Sequence, residues 1–435
     1  MSEPAAALPH RADTVVVGAG LGGLLAAVTA ARARPSASVV VLDAQQPGGR
    51  ARCDQRDGFT FNRGPRALYV GSTADRALRA VGVDTGHGGK PAMAGAVAIH
   101  GGRVHRFPGG PLDSARTTLL SPREKLAAGA ALAAVWRADE ATTAGRTVGA
   151  WLDERHETGT VRQLVEALVR VATYTDAPDV LAAGPALHNA RLGVRPGVRY
   201  LDGGWQALVD QLVARAGRHG VTFVRAGARS VRSEGGETVI VLADGSEVRA
   251  GATVIAAGGP DAAAGLLGAT PPSWPVLGPP VTAACLELGL RRAPVHRFAL
   301  GIDEPVYAST HCPPARLAPE GGAVVHLMRY QRPGEHVPAA EQQARLAALA
   351  RTIGIAEADV VTERFLARMV VSGAMPTAAA GGVAGRVPVA VADHPGVLLA
   401  GDWVGSHGLL LDAVAASATE AARLAVGRSA TMVPA

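Results

Sequence analysis

The sequence predicts an α/β fold in which a discontinuous domain, built on a parallel sheet, is interrupted by an inserted α+β domain with a helical cap. Three observations support this prediction. A strand–turn–helix–strand unit occupies residues 13–52, and a second buried strand followed by a helix occupies residues 397–426. Between them, residues 111–195 carry mostly helical signals, which have no place within one open sheet.

The first unit reads as two parallel strands joined by a helix. Val15-Val16-Val17 is a β-branched run typical of a buried parallel strand. An Ala/Leu-rich helix is expected over residues 21–34, ended before Pro35, because a residue that precedes proline is pushed out of the helical region. Residues 39–42 form a second apolar strand, and Asp43 closes it.

The turn between strand and helix has the glycine spacing G-x-G-x-x-G. Gly18 suits the tight turn, Gly20 lets a pyrophosphate approach the backbone, and Gly23 lets the helix pack closely on the strand. The helix N-terminus offers unpaired N–H groups to that pyrophosphate, and Asp43 is placed to accept hydrogen bonds from a ribose. The unit is therefore predicted to be a Rossmann-like dinucleotide site; the alternative is a βαβ unit without a ligand.

Gly48-Gly49-Arg50, directly after the second strand, extends this pattern. With the preceding features it resembles the superfamily of flavin amine oxidases, protoporphyrinogen oxidases and phytoene desaturases, which usually has Glu where Asp43 stands. Residues 58–66, GFTFNRGPR, are similar to the family segment that passes beside the isoalloxazine ring, with Asn62 in place of the usual Asp. The resemblance implies a discontinuous FAD-binding domain of the GR2 type.

Later segments carry the same resemblance. Residues 201–213 resemble the stretch where the chain of relatives re-enters the flavin domain, and the backbone at the position of Ala228 contacts the adenine there. A buried strand then ends at Gly401-Asp402, where the family's Asp hydrogen-bonds the ribityl or phosphate region of FAD. The last helix starts near Leu409 or Leu410, and its N-terminus would stabilise charge on the reduced ring.

These segments define the expected site residues. The residues expected to contact FAD are Gly18, Ala19, Gly20, Leu21, Gly22, Gly23, Asp43, Ala44, Gly49, Arg50, Gly64, Pro65, Arg66, Ala228, Gly401, Asp402, Leu410 and Leu411. Two residues are candidates for catalysis. His407 could move protons over the ring, or be a polar loop residue; Asp412 stands where relatives often have Gly, or simply suits a first helical turn.

The predicted domains follow from the same segments. The FAD-binding domain comprises residues 12–70, 199–265 and 386–428, and the substrate-binding and cap domain comprises residues 71–198 and 266–385. The leucine and valine stripes of the cap are interpreted as core packing in preference to ligand contacts.

Elements of the inserted domain have their own signals. A hairpin is expected about Gly101-Gly102, and Ser121-Pro122-Arg123-Glu124 predicts the start of a helix that runs to about Trp136 or Ala138. Residues 147–155 and 160–174 are predicted helices as well. Later strands are expected at 286–290, 297–302 and 323–329, and an amphipathic helix at 341–352.

Composition narrows the classes of function. The formal charge of +6 comes almost wholly from arginine, since Lys90 and Lys125 are the only lysines, and no basic face with interleaved aromatics indicates nucleic-acid binding. Cys53, Cys285 and Cys312 lie far apart, so neither a disulfide framework nor a metal site is expected. Without a signal peptide or an apolar span the expected location is cytoplasmic. Peripheral contact with a membrane and the oligomeric state stay open.

The resemblance implies an FAD-dependent oxidoreductase that takes a hydride from a C–H or C–N bond of a largely apolar small molecule. Amine oxidases of the superfamily place a lysine near flavin N5, but this chain has no lysine after Lys125, and only 4% of its residues are aromatic. Both facts favour the phytoene-desaturase-like branch. The alternatives are a flavin amine oxidase, a flavin-dependent isomerase, and a non-catalytic lipid or prenyl carrier of the same fold.

Overall fold

The structure is a computed structural model that describes residues 8–143 and 145–431. Within these ranges the strands are β1 (Arg11–Val17), β2 (Val39–Leu42), β3 (Asp54–Arg56), β4 (Phe59–Phe61), β5 (Leu68–Tyr69), β6 (Val97–His100), β7 (Arg103–Arg106), β8 (Val198–Arg199), β9 (Thr222–Val224), β10 (Ala228–Glu234), β11 (Glu237–Leu242), β12 (Glu247–Ile255), β13 (Val281–Leu290), β14 (Phe298–Gly301), β15 (Val306–Cys312), β16 (Ala323–Gln331), β17 (Val360–Ser372) and β18 (Val397–Leu399).

The helices of the same ranges are α1 (Leu21–Ala33), α2 (Thr73–Ala80), α3 (Pro111–Arg116), α4 (Pro122–Arg137), α5 (Glu140–Thr143), α6 (Val148–Asp153), α7 (Gly159–Thr173), α8 (Ala183–Val194), α9 (Gln206–Arg218), α10 (Pro260–Leu266), α11 (Ala339–Thr352) and α12 (Leu410–Thr431). No helix of the part of the chain described here is long and apolar enough to cross a membrane.

The first sheet brings together strands that are far apart in sequence. Its parallel part has the order β9-β2-β1-β12-β18, and the β10–β11 hairpin continues it from the first half of β12. Helix α1 packs against both α9 and α12, and its Leu24, Leu25 and Val28 are buried. This arrangement confirms the predicted α/β class with a Rossmann-like unit; the exact domain limits stay a prediction.

The second sheet has the order β17-β13-β16-β15-β14-β6-β7 and is antiparallel except for the β14–β6 pair. Successive side chains along each strand point to opposite faces of the sheet. Leu286 and Leu327 pack with Leu346 of α11 on one face. Met328 and Tyr330 pack on the other face with residues of the cap helices α4, α6, α7 and α8. The predicted helical cap therefore covers one face of this sheet.

Local signals placed most elements within a few residues. The capping box of α4 is present, with the Ser121 hydroxyl accepting from Glu124 N and the Glu124 carboxylate accepting from Ser121 N. Several elements had no expectation from the sequence, among them α8, β15 and β17. In β17 charged residues interrupt the apolar alternation, because Arg364 is buried and pairs with Glu287 of β13 rather than pointing at solvent.

Candidate cofactor and substrate cavity

One cavity of about 1410 Å³ runs between the two sheets. At one end it is lined by the exposed residues Ala44, Gln45 and Gln46, and at the other by the exposed Met93 and Trp136. Pockets for a single drug-sized ligand measure roughly 300–1,000 Å³. The cavity is therefore large enough for an extended ligand and a second, smaller one.

Most of the predicted cofactor-binding residues line this cavity. Those that do are Gly18, Gly20, Leu21, Gly22, Asp43, Ala44, Gly49, Arg50, Pro65, Arg66, Gly401, Asp402, Leu410 and Leu411. Those that do not are Ala19, Gly23, Gly64 and Ala228. The structure thus brings residues 18–50, 65–66 and 401–411 together around one cavity.

The three glycines of the turn have different surroundings. Gly18 has φ +104°, and a Cβ there would lie 2.9 Å from Ala257 N. A Cβ on Gly23 would lie 1.9 Å from the Gly18 carbonyl oxygen, so this residue allows the helix to approach the strand. At Gly20 a Cβ would meet no heavy atom within 4 Å. The open space at Gly20 fits a ligand that approaches the backbone.

Asp43 lies at the exposed end of the cavity and is held by two backbone groups. Its Oδ2 accepts from Ala19 N at 2.7 Å, and its Oδ1 accepts from Gln45 N at 2.8 Å. Each carboxylate oxygen retains a lone pair for a ribose hydroxyl. Ala228, expected beside the adenine, begins β10 and does not line the cavity; its neighbour Gly227 lies against Ala44 instead.

An ion pair joins the start and the end of the chain at the middle of the cavity. Arg50 Nη2 lies 2.7 Å from Asp402 Oδ2, and Asp402 Oδ1 accepts from Gly373 N at 2.8 Å. Asp402 is 2% exposed, whereas the Arg50 side chain is 43% exposed and borders the cavity. Asp402 therefore fixes the guanidinium of Arg50 where a phosphate group could reach it.

The segment around Pro65 is fixed at successive positions by groups from other parts of the chain. Asn62 Oδ1 accepts from Trp205 N at 2.8 Å, and Gly64 N donates to Glu287 Oε1 at 2.7 Å. The Tyr174 hydroxyl donates to the Pro65 carbonyl at 3.1 Å. Asn62, which stands where relatives have Asp, thus still accepts a backbone hydrogen bond. These contacts present Pro65 and Arg66 to the cavity as a rigid strip.

Arg66 carries a charge that the surrounding protein only partly satisfies. Its Nη2 donates to the Arg50 carbonyl at 3.2 Å, and its guanidinium lies 5.3 Å from the Trp205 ring centroid. Its Nε is buried without a hydrogen-bond partner among the described residues. Burial lowers the pKa of Arg66, because the charged form loses solvation. Because Arg66 lines the cavity, an anionic group of a ligand would offset its charge.

A buried charge network supports the same strip from behind. Glu287 is fully buried, accepts from Gly64 N, and pairs with Arg364, which in turn contacts Asp54. Asp54 is also paired with Arg63, which precedes Gly64 and has φ +54°. Because the charges alternate in sign, each buried carboxylate is compensated by a guanidinium. The network ties the second sheet to the strip that faces the cavity.

Three side chains of metal-ligand type meet in this network. Ligand atoms of Cys285, Glu287 and His326 lie within 4.8 Å of one another, and all three residues are buried. The carboxylate of Glu287 is already engaged by Gly64 and Arg364, and burial raises the pKa of the Cys285 thiol well above its usual value. Neither group is set up to bind a cation, and the expectation of no metal stays a prediction.

The first turn of α12 closes the inner wall of the cavity. Leu410 and Leu411 line it, and Leu410 has φ +53°, an uncommon conformation for a branched residue. N–H groups in a first turn have no acceptor within their own helix and carry partial positive charge. The helix start is therefore suited to face an acceptor on a ligand.

Asp412, one of the two catalytic candidates, holds another helix. Its Oδ1 accepts from the Ser72 hydroxyl at 2.6 Å and from Ala74 N at 2.7 Å, at the start of α2. It lines the cavity but is only 6% exposed. Burial raises the pKa of Asp412, although these two hydrogen bonds oppose the shift. The geometry gives Asp412 a capping role, and any catalytic role stays a prediction.

We expect Asp412→Asn to fold and to bind its ligands, because an amide oxygen can accept the same two hydrogen bonds. Asp412→Ala leaves both donors unpaired and should cost about 1–3 kcal/mol of unfolding free energy. Since the folded pKa is raised, the charged carboxylate opposes folding, fully so above that pKa and not at all well below the unfolded value. The melting temperature of the Asn variant should therefore rise relative to that of the wild type from acid to neutral pH. Loss of turnover in a stable Asn variant would instead indicate an acid–base role.

His407, the other catalytic candidate, does not face the cavity. It is exposed, and it is absent from the residues that line the cavity wall. Gly405 and Gly408, on either side, have φ +74° and +66°, so the loop turns outward before α12 begins. This position fits the alternative of a polar loop residue, and a catalytic role for His407 stays a prediction.

All five tyrosines of the chain line the cavity, in the half that lies next to the cap helices. Nothing in the sequence had indicated this. The five are Tyr69, Tyr174, Tyr200, Tyr307 and Tyr330, and each comes from a different element or loop. Aromatic residues make up only 4% of the sequence, so nothing in the composition indicated this concentration.

The tyrosines differ in what their hydroxyl groups bind. Tyr69 donates to the Ala172 carbonyl at 3.0 Å, while Tyr200 is hydrogen-bonded to Ser309 and lies 3.4 Å from the Tyr307 hydroxyl. The Tyr330 hydroxyl is buried and has no partner among the described residues. Burial raises the pKa of all five phenols, so each stays protonated at neutral pH. They can donate hydrogen bonds but do not act as bases.

Comparison with known proteins agrees with this architecture. Residues 16–81 match the family described as NAD(P)-binding Rossmann-like domain. This match covers the glycine turn, Asp43 and the strip up to α2, and thus only a part of the chain. No protein of curated function matches the chain in sequence.

Solved structures similar to this chain cover nearly all of it. An oxidoreductase from Methanosarcina mazei has a TM-score of 0.71 at 17% identity, covering 94% of this chain and 99% of that chain. Cyclohexylamine oxidase from Brevibacterium oxydans has a TM-score of 0.69 at 18% identity, covering 96% and 99%. A protein from Exiguobacterium assigned as a protoporphyrinogen oxidase has a TM-score of 0.69 at 19% identity, covering 96% and 98%.

These likenesses define the class of fold. The chain has a mixed α/β fold similar to that of cyclohexylamine oxidase and of the protein assigned as a protoporphyrinogen oxidase. At such identities the likeness establishes the fold alone, and it does not single out a phytoene-desaturase branch.

Proposed function

We propose that this chain is an FAD-dependent oxidoreductase that takes a hydride from a C–H or C–N bond of a small, largely apolar substrate. One observation carries the proposal: a single cavity leads from the glycine turn, past Arg50 and Asp402, into a chamber lined by tyrosines. A dinucleotide bound along the glycine turn, Arg50 and Asp402 would present its far end to a substrate bound among the tyrosines.

The residues present fit FAD. The open space at Gly20 and the first turn of α1 suit a pyrophosphate, and Asp43 lies at the exposed end where an adenosine ribose would be. Arg50 is held by Asp402 in the middle of the cavity. The family description names NAD(P), yet the wall continues beyond the matched residues to α12. That longer wall favours a resident flavin dinucleotide.

Bound FAD would supply the hydride acceptor, and the chain would supply position and shielding. The strip at Pro65 and the start of α12 border the same part of the cavity, so a planar ring held there would be fixed on two sides. The apolar remainder of the chamber excludes water from the reacting bond.

A flavin amine oxidase is the second candidate, and the tyrosine chamber is the observation that favours it. Tyr174 and Tyr330 lie edge to face, with ring centroids 6.4 Å apart, and the negative faces of such rings attract cations. Against it, the chain has no lysine after Lys125 that could take the place near flavin N5 where amine oxidases of the superfamily have one. We therefore retain the apolar substrate as the proposal.

Flavin reduction without oxygen separates the two candidates. Purified protein would be mixed with small amines and amino acids in one panel, and with polyenes, cyclic terpenoids and tetrapyrrole precursors in another. We expect bleaching of the flavin absorbance by a member of the second panel, and none by simple primary amines. Rapid reduction by a small amine would overturn the apolar assignment in favour of the amine oxidase.

A further inference from the structure

The positive charge of the chain is concentrated in one segment. Residues 90–137 contain seven basic and two acidic residues, a formal charge of +5, whereas the whole chain has +6. Of the two acids, Asp113 is paired with Arg106 at 2.8 Å, and Glu124 is used by its own capping box. Both lysines of the chain also belong to this segment.

The same segment exposes large apolar side chains. They are Met93 (41% exposed), Val104 (41%), Leu112 (60%), Leu126 (79%) and Trp136 (43%). We call these five residues, with the exposed cations Lys90, Arg103, Arg106, Arg116, Arg123 and Arg137, the entrance patch. Exposed apolar residues scattered singly need no explanation, but a group of them among cations does.

Helix α4 shows that this exposure follows one face. Ala128, Ala131 and Val135 are buried against the cap, as one face of an amphipathic helix should be. The opposite stripe would normally be polar, yet at spacings of three and four it carries Leu126, Gly129, Ala130, Ala133 and Trp136. Arg123 and Arg137 stand at its two ends. The helix therefore presents a second apolar face that nothing in the described chain covers.

Contacts join the elements of the entrance patch into one surface. Lys125 Nζ donates to the Ala115 carbonyl at 2.8 Å, which ties α4 to α3. The Arg106–Asp113 pair ties β7 to α3. Trp136 and Met93 are exposed and also line the cavity, as does Val194, which is 61% exposed. The entrance patch thus borders the opening of the cavity at the end where Met93 and Trp136 lie.

We propose that the entrance patch docks on the surface of an anionic lipid bilayer, with Leu126 and Trp136 entering the headgroup region. Helices that lie in such an interface combine an apolar stripe with cations at its margin, and tryptophan is enriched at that depth. Anionic lipid complements a charge of +5, while the leucines would have nothing to contact on a nucleic-acid backbone. If the proposed function holds, an apolar substrate would pass in this orientation from the lipid directly into the cavity.

Vesicle co-sedimentation of the full chain tests the docking. We expect binding to vesicles of phosphatidylcholine and phosphatidylglycerol in equal parts, at least tenfold weaker binding to phosphatidylcholine alone, and loss of binding at high salt. Leu126→Asp and the Arg123→Glu/Arg137→Glu pair should each weaken binding at least tenfold. The matched controls are Val276→Asp, at a side chain 92% exposed outside the patch, and Arg229→Glu; neither should change binding.

The assay does not depend on the cofactor, so it fails separately from the proposed function. Vesicle binding by a protein without FAD would support the docking proposal and contradict the proposed oxidoreductase function. A flavoprotein that ignores anionic vesicles, or binds them as tightly after Leu126→Asp, would overturn the docking proposal. So would a dimer in sedimentation velocity that Leu126→Asp dissociates, because the patch would then join two copies of this chain.

Discussion

Gly20→Val should abolish retention of FAD while the chain still folds. The backbone at Gly20 has φ −73° and ψ 177°, an extended conformation open to any residue, and a Cβ there meets nothing within 4 Å. Its side chain would instead fill the space that we assign to the pyrophosphate. We expect affinity for FAD to fall about 100-fold or more, which corresponds to roughly 2.7 kcal/mol. Fluorescence titration of the flavin-free protein measures it.

Two further glycines are the controls for this change. Gly217→Val also adds a side chain in open space, but in α9 away from the cavity, and should bind FAD normally. Gly23→Val should not fold, since its Cβ would lie 1.9 Å from the Gly18 carbonyl oxygen. Normal FAD affinity in a folded Gly20→Val protein would place the dinucleotide elsewhere.

Asp402→Ala should both destabilise the chain and release the cofactor. It removes the acceptor of Gly373 N and leaves Arg50 without its carboxylate. Breaking a buried ion pair costs about 3–5 kcal/mol, and the partial exposure of Arg50 puts the expected loss near or below the lower figure. Denaturant unfolding and the flavin content after purification measure the two effects.

Asp176→Ala is the matched control for this change. Asp176 is 3% exposed and pairs with Arg170 and Arg332, but it does not line the cavity. Its loss should lower stability comparably while FAD is retained by the protein that remains folded. Equal loss of FAD in both variants would mean that Asp402 acts only through stability.

The sequence was sufficient to predict which segments around the glycine turn line the cavity, because each feature there is local. Gly18, Gly20 and Gly23 share one turn, and Asp43 ends the next strand. The Arg50–Asp402 pair was predicted only in part. Both residues were identified as site residues, but nothing in the sequence shows that two residues 352 positions apart in the chain form an ion pair.

The substrate half could not be predicted in the same way. Its tyrosines are scattered from position 69 to position 330, and the pairing of β5 with β8, the pairing of β15 with β16 and the cap bring them together. β17 was missed because Arg364 compensates Glu287 inside the protein, so its charge resembled a surface residue. The sequence left two alternatives open for His407, because it does not show the direction in which the flanking Gly405 and Gly408 turn the loop.

The central claim is that the long cavity holds FAD, and release of the bound chromophore tests it most directly. Purified protein would be denatured by heat or acid, and the supernatant identified by chromatography against FAD, FMN and the nicotinamide dinucleotides. We predict a yellow protein that releases one FAD per chain. A colourless protein that takes up no added FAD, and instead binds NADH or NADPH in the cavity, would contradict the account.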